Sequence, residues 1–208
     1  EIFEKIQPFY SLAKQLCRLS SQYMNEGVRK VSVTYAGNVL DFESSLLTKS
    51  LLSGFFTERI STNVNDVNAM LIAKERDITT GEKVSQDTFG YSNLITVTVK
   101  GDNHQLEVKG TYIENYGPRI VSINGYDVDI LPEGNLLFIQ HTDRPGVIGR
   151  VGNILGDNSV NIATMQVGRD EVGGSAVMML GIDNEVTPGD LVLVGQLENI
   201  DEVKAIKL

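Results

Sequence analysis

Residues 136–161, LLFIQHTDRPGVIGRVGNILGDNSVN, decide how this chain is read. Leu136–His141 is a short apolar run of strand length. Pro145-Gly146 then turns the chain and opens a helix. Val147, Ile148, Val151, Ile154 and Leu155 fall at i, i+1, i+4, i+7 and i+8, the apolar stripe of a helix lying on a sheet. Asp157-Asn158-Ser159 ends that helix, and Val160–Gly168 returns to a strand pattern.

Working outward toward the C-terminus, Asp170–Gly174 reads as a hairpin loop and Ser175–Ile182 as a third strand. Thr187 caps a second helix, with Pro188 at its first position and Asp190 at its third, a variant of the capping box. Val192, Val194 and Gly195 give that helix weak propensity, so packing must hold it. Val203–Leu208 closes the unit as a strand. The order is βαββαβ, the ferredoxin-like arrangement.

Working outward toward the N-terminus, Leu131-Pro132-Glu133-Gly134 breaks both periods and predicts a short, stiff boundary. The expected domains are residues 1–131 and 135–208. The first opens on a helix over 8–24, with Pro8 in its first turn and an apolar face of Phe9, Leu12, Ala13, Leu16, Leu19 and Tyr23. Val31, Val33 and Tyr35 alternate with polar residues as a half-buried strand. Helices are predicted from about Asp41 to Glu58 and from about Asn65 to Asp77. From Ile78 to Ile130 the period is two, and Asn124-Gly125 is a strong hairpin signal. The predicted class is α+β: an N-terminal α+β domain with an antiparallel sheet, then the ferredoxin-like unit.

The 208 residues carry 18 Lys and Arg against 27 Asp and Glu, a formal net charge of −9 that argues against nucleic acid and anionic membrane as partners. No apolar run is long enough to span a bilayer. The first residues, Glu1 to Ile6, are acidic and amphipathic, unlike a signal peptide, and the expected location is cytoplasmic. The chain opens without Met and is read as a piece of something longer. The lone Cys17 lies on a predicted apolar helix face and is expected to be a buried thiol. With His104 and His141 the only imidazoles, no metal site is expected. No catalytic motif is present, neither GxSxG, CxxC, HExxH nor a P-loop.

The turn at Pro145-Gly146 is where ligand chemistry could sit. The open N–H groups at a helix start would hold a carboxylate or phosphate. Asp143 could receive an ammonium group, and Asn161, read as opening the next strand on the same edge, offers a donor and an acceptor. Together these suit a free amino acid; equally, Asp143 could cap the helix and Asn161 could be a turn residue. A third reading takes Gly146-Val-Ile-Gly149-Arg-Val-Gly152 as a dinucleotide fingerprint, but its GxxGxxG spacing lacks the tight GxG, and close helix packing explains Gly149 and Gly152 better. In the first domain, Arg119, Lys100, His104 and Lys109 could form an anion pocket or be ordinary surface charge.

His141–Gly149 followed by Val160-Asn161-Ile162 closely resembles the start of an ACT domain. Pro8–Leu19, Val64–Ala69 with Ala73–Arg76, and Ile123-Asn124-Gly125 resemble the intervening, or allosteric substrate binding, domain of long-form D-3-phosphoglycerate dehydrogenases. The resemblance covers nearly the whole chain. It implies a parent enzyme that oxidises 3-phosphoglycerate with NAD in the first step of L-serine synthesis. This piece would carry no catalytic residue and no cofactor, and would be inactive alone. The resemblance implies L-serine as effector at an interface between paired ACT domains, contacted by His141, Asp143, Arg144, Pro145, Gly146, Val147 and Asn161. It implies a possible anion site at Arg119, with Leu131 where a second basic residue would stand. The alternative role is a purely structural oligomerisation module with no serine response.

Overall fold

The computed structural model describes residues 2–61 and 63–208, so Glu1, where the reading of the N-terminus begins, lies outside the described residues. The chain divides into two compact units, residues 1–125 and 126–208.

In the first unit, α1 (Ile2–Tyr23) is longer than the predicted 8–24 and carries Pro8 in its interior. Ile6 explains the extension: it continues the stripe of Phe9, Leu12 and Leu16, and all four are buried. Apolar burial there outweighs the one helical bond that proline removes. Five strands follow in this unit: β1 (Val28–Gly37), β2 (Thr79–Ser85), β3 (Asn93–Gly101), β4 (Gln105–Ile113) and β5 (Gly117–Ile123), in the spatial order β2-β1-β3-β4-β5. Val31, Val33 and Tyr35 of β1 and Ile95, Val97 and Val99 of β3 are buried, as the alternation demands. The second predicted helix resolves into a short 3-10 turn at Asn38–Asp41 and α2 (Ser44–Thr57); the third starts at Ala69 as α3 (Ala69–Glu75).

The sheet is mixed rather than antiparallel, because β1 and β2 pair in parallel. The segment between them holds α2 and α3, long enough for the crossover that parallel strands need. A mostly exposed β2, with Gly81, Glu82 and Lys83 at its middle, forms that edge. At Asn124-Gly125 both residues have positive φ, 50° and 83°, the signature of the tight turn that Asn-Gly favours. Cys17 is fully buried, and burial pushes its thiol up.

The second unit comprises β6 (Tyr126–Ile130), β7 (Asn135–Thr142), α4 (Val147–Asp157), β8 (Ile162–Arg169), β9 (Ser175–Ile182), α5 (Pro188–Gly195) and β10 (Ile200–Lys207). From β7 onward this is βαββαβ with sheet order β10-β7-β9-β8. Every pairing in that sheet is antiparallel. Val147, Val151 and Leu155 of α4 pack with Leu137, Ile139, Met178 and Leu180 from the sheet. Ile148, placed on the stripe by its spacing, is 45% exposed instead. At α5 the Thr187 hydroxyl accepts from the Asp190 amide, and the Asp190 carboxylate accepts from the Thr187 amide, the reciprocal cap read from the sequence.

β6 is the sixth strand of the first sheet, in the order β2-β1-β3-β4-β5-β6, as the hairpin reading expects, although its other contacts group it with the second unit. Gly168 of β8 is the reason: a Cβ there would stand 2.5 Å from the carbonyl oxygen of Asp127, so only glycine lets the two backbones approach.

Candidate functional site

β7 delivers its last residues to one end of the second unit. Alternation along β7 puts Leu137, Ile139 and His141 on the face covered by α4, and His141 is buried to 1% exposure. Its Nδ1 lies 3.1 Å from the Thr142 carbonyl. Its Nε2 is buried with no hydrogen-bond partner. In the neutral ring, Nδ1 donating to that carbonyl leaves Nε2 as an unfilled acceptor. Native structures rarely leave such an atom without cause.

Arg144 to Val147 form a tight turn. The Val147 amide donates to the Arg144 carbonyl at 3.3 Å, Pro145 takes the second position, and Gly146 takes the third with φ 86°. That is the type II geometry, which needs a positive φ at its third residue. The helix therefore starts at Val147, two residues after the predicted Pro145. Its first i→i−4 bond runs from the Arg150 amide to the Gly146 carbonyl at 3.0 Å, so the amides of Ile148 and Gly149 are donors that the helix leaves open.

Asp143 does not cap this helix; α4 has no side-chain cap. The Asp143 amide donates to the Gly174 carbonyl at 2.8 Å, which pins the residue to the β8–β9 hairpin. Its carboxylate accepts from the Arg169 guanidinium at 2.8 Å and, more weakly, from the Gly173 amide at 3.5 Å. The Arg169 bond holds the Asp143 carboxyl below its usual range, against a smaller opposing effect of desolvation. Arg144 and Pro145 are exposed beside it.

Asn161 is not on the same edge, which corrects the sequence reading. β8 and β7 both run antiparallel to β9, so the start of β8 is level with the start of β7: Ile162 and Asn135 both face Ile182. His141 at the end of β7 and the turn that follows it to Val147 lie at the opposite end, with Arg169 from the end of β8. Eight strand residues separate the two ends, roughly 24 Å at a strand's rise per residue. Asn161 instead donates to the Asp183 carboxylate at 2.7 Å. The dinucleotide reading fails on topology as well. β7 and β8 are not neighbours, since β9 lies between them, so the turn does not join adjacent parallel strands. Among the described residues nothing outside the helix's own backbone comes within 4 Å of the places where Cβ atoms would sit on Gly149 and Gly152, so no close packing within this unit accounts for these glycines.

Of the basic residues of the first unit, Lys100 and Lys109 line one cavity of about 310 Å³ together with Lys30 and Lys83, while Arg119 and His104 are not among its lining residues. The Arg119 guanidinium stacks on Tyr116 at 5.1 Å. His104 pairs with Glu26 at 3.2 Å, and Lys109 pairs with Glu107 at 3.2 Å while lying 4.7 Å from the Phe89 ring centre. Lys100 sits directly opposite Lys30 across β1 and β3. Among the described residues no group of three or more His, Cys, Asp or Glu side chains is placed to hold a metal ion. Among the described residues no helix is long and apolar enough to cross a membrane.

Residues 5–124 match the pattern of the D-3-phosphoglycerate dehydrogenase intervening domain, and residues 135–202 match that of the ACT domain. The chain belongs to the D-3-phosphoglycerate dehydrogenase family. Over 206 residues it is 48% identical to the D-3-phosphoglycerate dehydrogenase of Bacillus subtilis, covering 99% of this chain and 39% of that protein. It is 36% identical over 204 residues to the enzyme of that name from Methanocaldococcus jannaschii, covering 98% of this chain and 38% of that protein. The chloroplastic D-3-phosphoglycerate dehydrogenase 3 of Arabidopsis thaliana is 29% identical over 225 residues. The chain thus spans about two-fifths of the length of these relatives and corresponds to their C-terminal regulatory part.

Within this member of the dehydrogenase family, sequence reasoning missed Arg150 and Arg169. Arg169 lies far along the chain from Asp143, and only the β7–β9 and β8–β9 registers together join them. Arg150 was legible in principle. A long helical side chain leans toward the N-terminus, so a residue four places after a glycine at the cap reaches back over it.

Proposed function

We propose that this chain is the regulatory half of a D-3-phosphoglycerate dehydrogenase, an enzyme that oxidises 3-phosphoglycerate with NAD. The residues that bind NAD and turn over substrate lie outside these 208, and the chain alone is expected to be inactive. Its task is to sense a small amino acid, L-serine, at an interface between two ACT domains, in a cytoplasmic homo-oligomer. The domain limits we assign are 1–131 and 135–208.

The observation that carries this reading is the buried His141 whose Nε2 has no partner, at the same end of the fold as the open amides of Ile148 and Gly149. An amino acid brings a carboxylate for the amides and an N–H or O–H for the ring nitrogen. The distance between Asp143 and Asn161 then has a physical consequence. One chain cannot apply both to one ligand, but a two-fold axis across the middle of β8 would exchange the ends of that edge strand. A partner's Asn161 would arrive beside this chain's Asp143, and the site would be complete only in the pair. Serine regulates if it binds one arrangement of domains more tightly than the other, with a coupling on the usual scale of ~1–3 kcal/mol.

Calorimetric titration of L-serine into the 208-residue chain tests this. Saturable binding that Asp143→Ala and Asn161→Ala both weaken supports the sensor; heat equal to dilution removes it. A second reading has one observation in its favour. Asp143 is already engaged by Arg169, as it would be in a domain that only holds an oligomer together. Light scattering separates the two, since a pure scaffold would associate equally with and without serine.

A further inference from the structure

Arg150 stands in an unusual position. It is the fourth residue of α4, and its guanidinium folds back over the turn: Nη1 lies 2.9 Å from where a Cβ on Gly146 would be. A cation is therefore held at the positive end of a helix, where the backbone dipole disfavours it. Among the described residues nothing compensates. Arg150 has no ion pair, its one hydrogen bond is a long 3.5 Å contact from Nη2 to the Glu198 carbonyl, and its Nε is buried with no acceptor. A guanidinium has five N–H groups in a fixed fork, so most of this one is unused.

The neighbouring charges sharpen the point. Asp143, the carboxylate at this end of the unit, is occupied by Arg169. A second buried orphan, His141 Nε2, belongs to the same end: His141 faces Ile200 across β7 and β10, two residues after the Glu198 whose carbonyl Arg150 reaches. An unpaired cation whose Nε is buried without an acceptor describes a place prepared for an anion, and the unfilled acceptor at His141 Nε2 would take an N–H or O–H of the same ligand.

We propose that Arg150 is the carboxylate anchor of this site: the acid group of the ligand lies against the terminal Nη1–Nη2 edge of the guanidinium, over Gly146, and meets the open amides of Ile148 and Gly149 behind it. This deepens the effector reading above, on which the identity of the ligand as an amino acid rests. It assigns specificity, since a guanidinium fork accepts a planar carboxylate in two parallel bonds and gains nothing from a carboxamide. Ligands with a free acid group are selected, and serinamide or ethanolamine is rejected. Gly146 is required twice, for its backbone angle and because a methyl there would displace the guanidinium.

The test follows arginine Nε–H resonances of the 208-residue chain by NMR, with the Arg150 signal identified by its loss in Arg150→Lys. Acetate, L-serine and L-serinamide are titrated in turn. The expected result is a saturable shift of the Arg150 signal with acetate and with L-serine but not with L-serinamide. Arg150→Gln should weaken L-serine roughly tenfold or more, while Arg150→Lys retains part of the affinity. Without ligand, the melting temperature of Arg150→Gln should be unchanged or raised, because an unpaired cation has been removed; a merely structural arginine would lower it. A shift with acetate but not L-serine keeps the anchor and overturns the effector assignment. Binding of L-serine that leaves the Arg150 signal in place overturns the anchor and keeps the effector. An Arg150 signal that neither acid moves overturns the anchor.

Discussion

Replacing Gly146 by alanine probes the turn on which the site is built. Its φ of 86° lies in the left-handed region, where an L-residue with a Cβ pays about 1–2 kcal/mol. The new methyl would also meet Arg150 Nη1 at 2.9 Å, but that atom ends a flexible side chain and can swing away at little cost. The stability loss is therefore the backbone strain alone, about 1–2 kcal/mol. The second unit spans residues 126–208, a size at which 1 kcal/mol lowers Tm by roughly 4–8 °C. Calorimetric melting of that unit should shift down by roughly 5–15 °C. Asparagine, which tolerates the left-handed region, should cost less than alanine, and valine should cost most. L-serine affinity should fall by more than the destabilisation explains, because the displaced guanidinium no longer lies over the turn. Equal melting temperatures for Gly, Asn, Ala and Val at 146 would refute the turn geometry as the reason for glycine.

Other consequences can be checked separately. Gly168→Ala would force its methyl against the Asp127 carbonyl oxygen at 2.5 Å, a backbone atom that cannot rotate away; we expect a loss of about 1–3 kcal/mol by denaturant unfolding, and a change below ~0.5 would contradict the β6–β8 packing. Arg59 donates to the carbonyls of Ser21, Met24 and Glu26 and so ties off the C-terminal end of α1; Arg59→Met should cost about 2–3 kcal/mol, less than three full charged bonds because the side chain is partly in water. Glu26 accepts from the Asn103 and His104 amides, chiefly the former, and its carboxyl is lowered to about 2. A depressed carboxyl stabilises above its unfolded value and loses that contribution as pH falls through its folded value. Acid titration of the fold should therefore steepen between about pH 4.5 and pH 2, and Glu26→Gln should flatten that segment.

The second unit was legible almost element by element. Periodicity placed α4, the Thr187–Asp190 cap announced α5, and Gly173-Gly174 marked the hairpin, because each is a local signal. Ile148 misled, since an i+1 position can fall on the stripe or beside it depending on where the helix axis lies. In the first unit the parallel partner of β1 was not legible. β2 has no apolar alternation, and strand direction is set by the crossover through α2 and α3, a tertiary fact. The site was half readable. His141 and the Pro145-Gly146 turn came from adjacent residues. The Asp143–Arg169 pair, the distant end occupied by Asn161 and the folded-back Arg150 each depend on register or side-chain direction, which spacing along the chain does not encode.

The claim that the effector site is shared between two chains has one decisive measurement. Asp143→Ala and Asn161→Ala chains, each too weak to bind L-serine, are unfolded together, refolded as a mixture and titrated by calorimetry. If Asp143 of one chain works with Asn161 of the partner, every mixed dimer contains one intact site, and random pairing restores about a quarter of the parent's binding sites at parental affinity. A mixture that binds no more than its components would contradict the shared site.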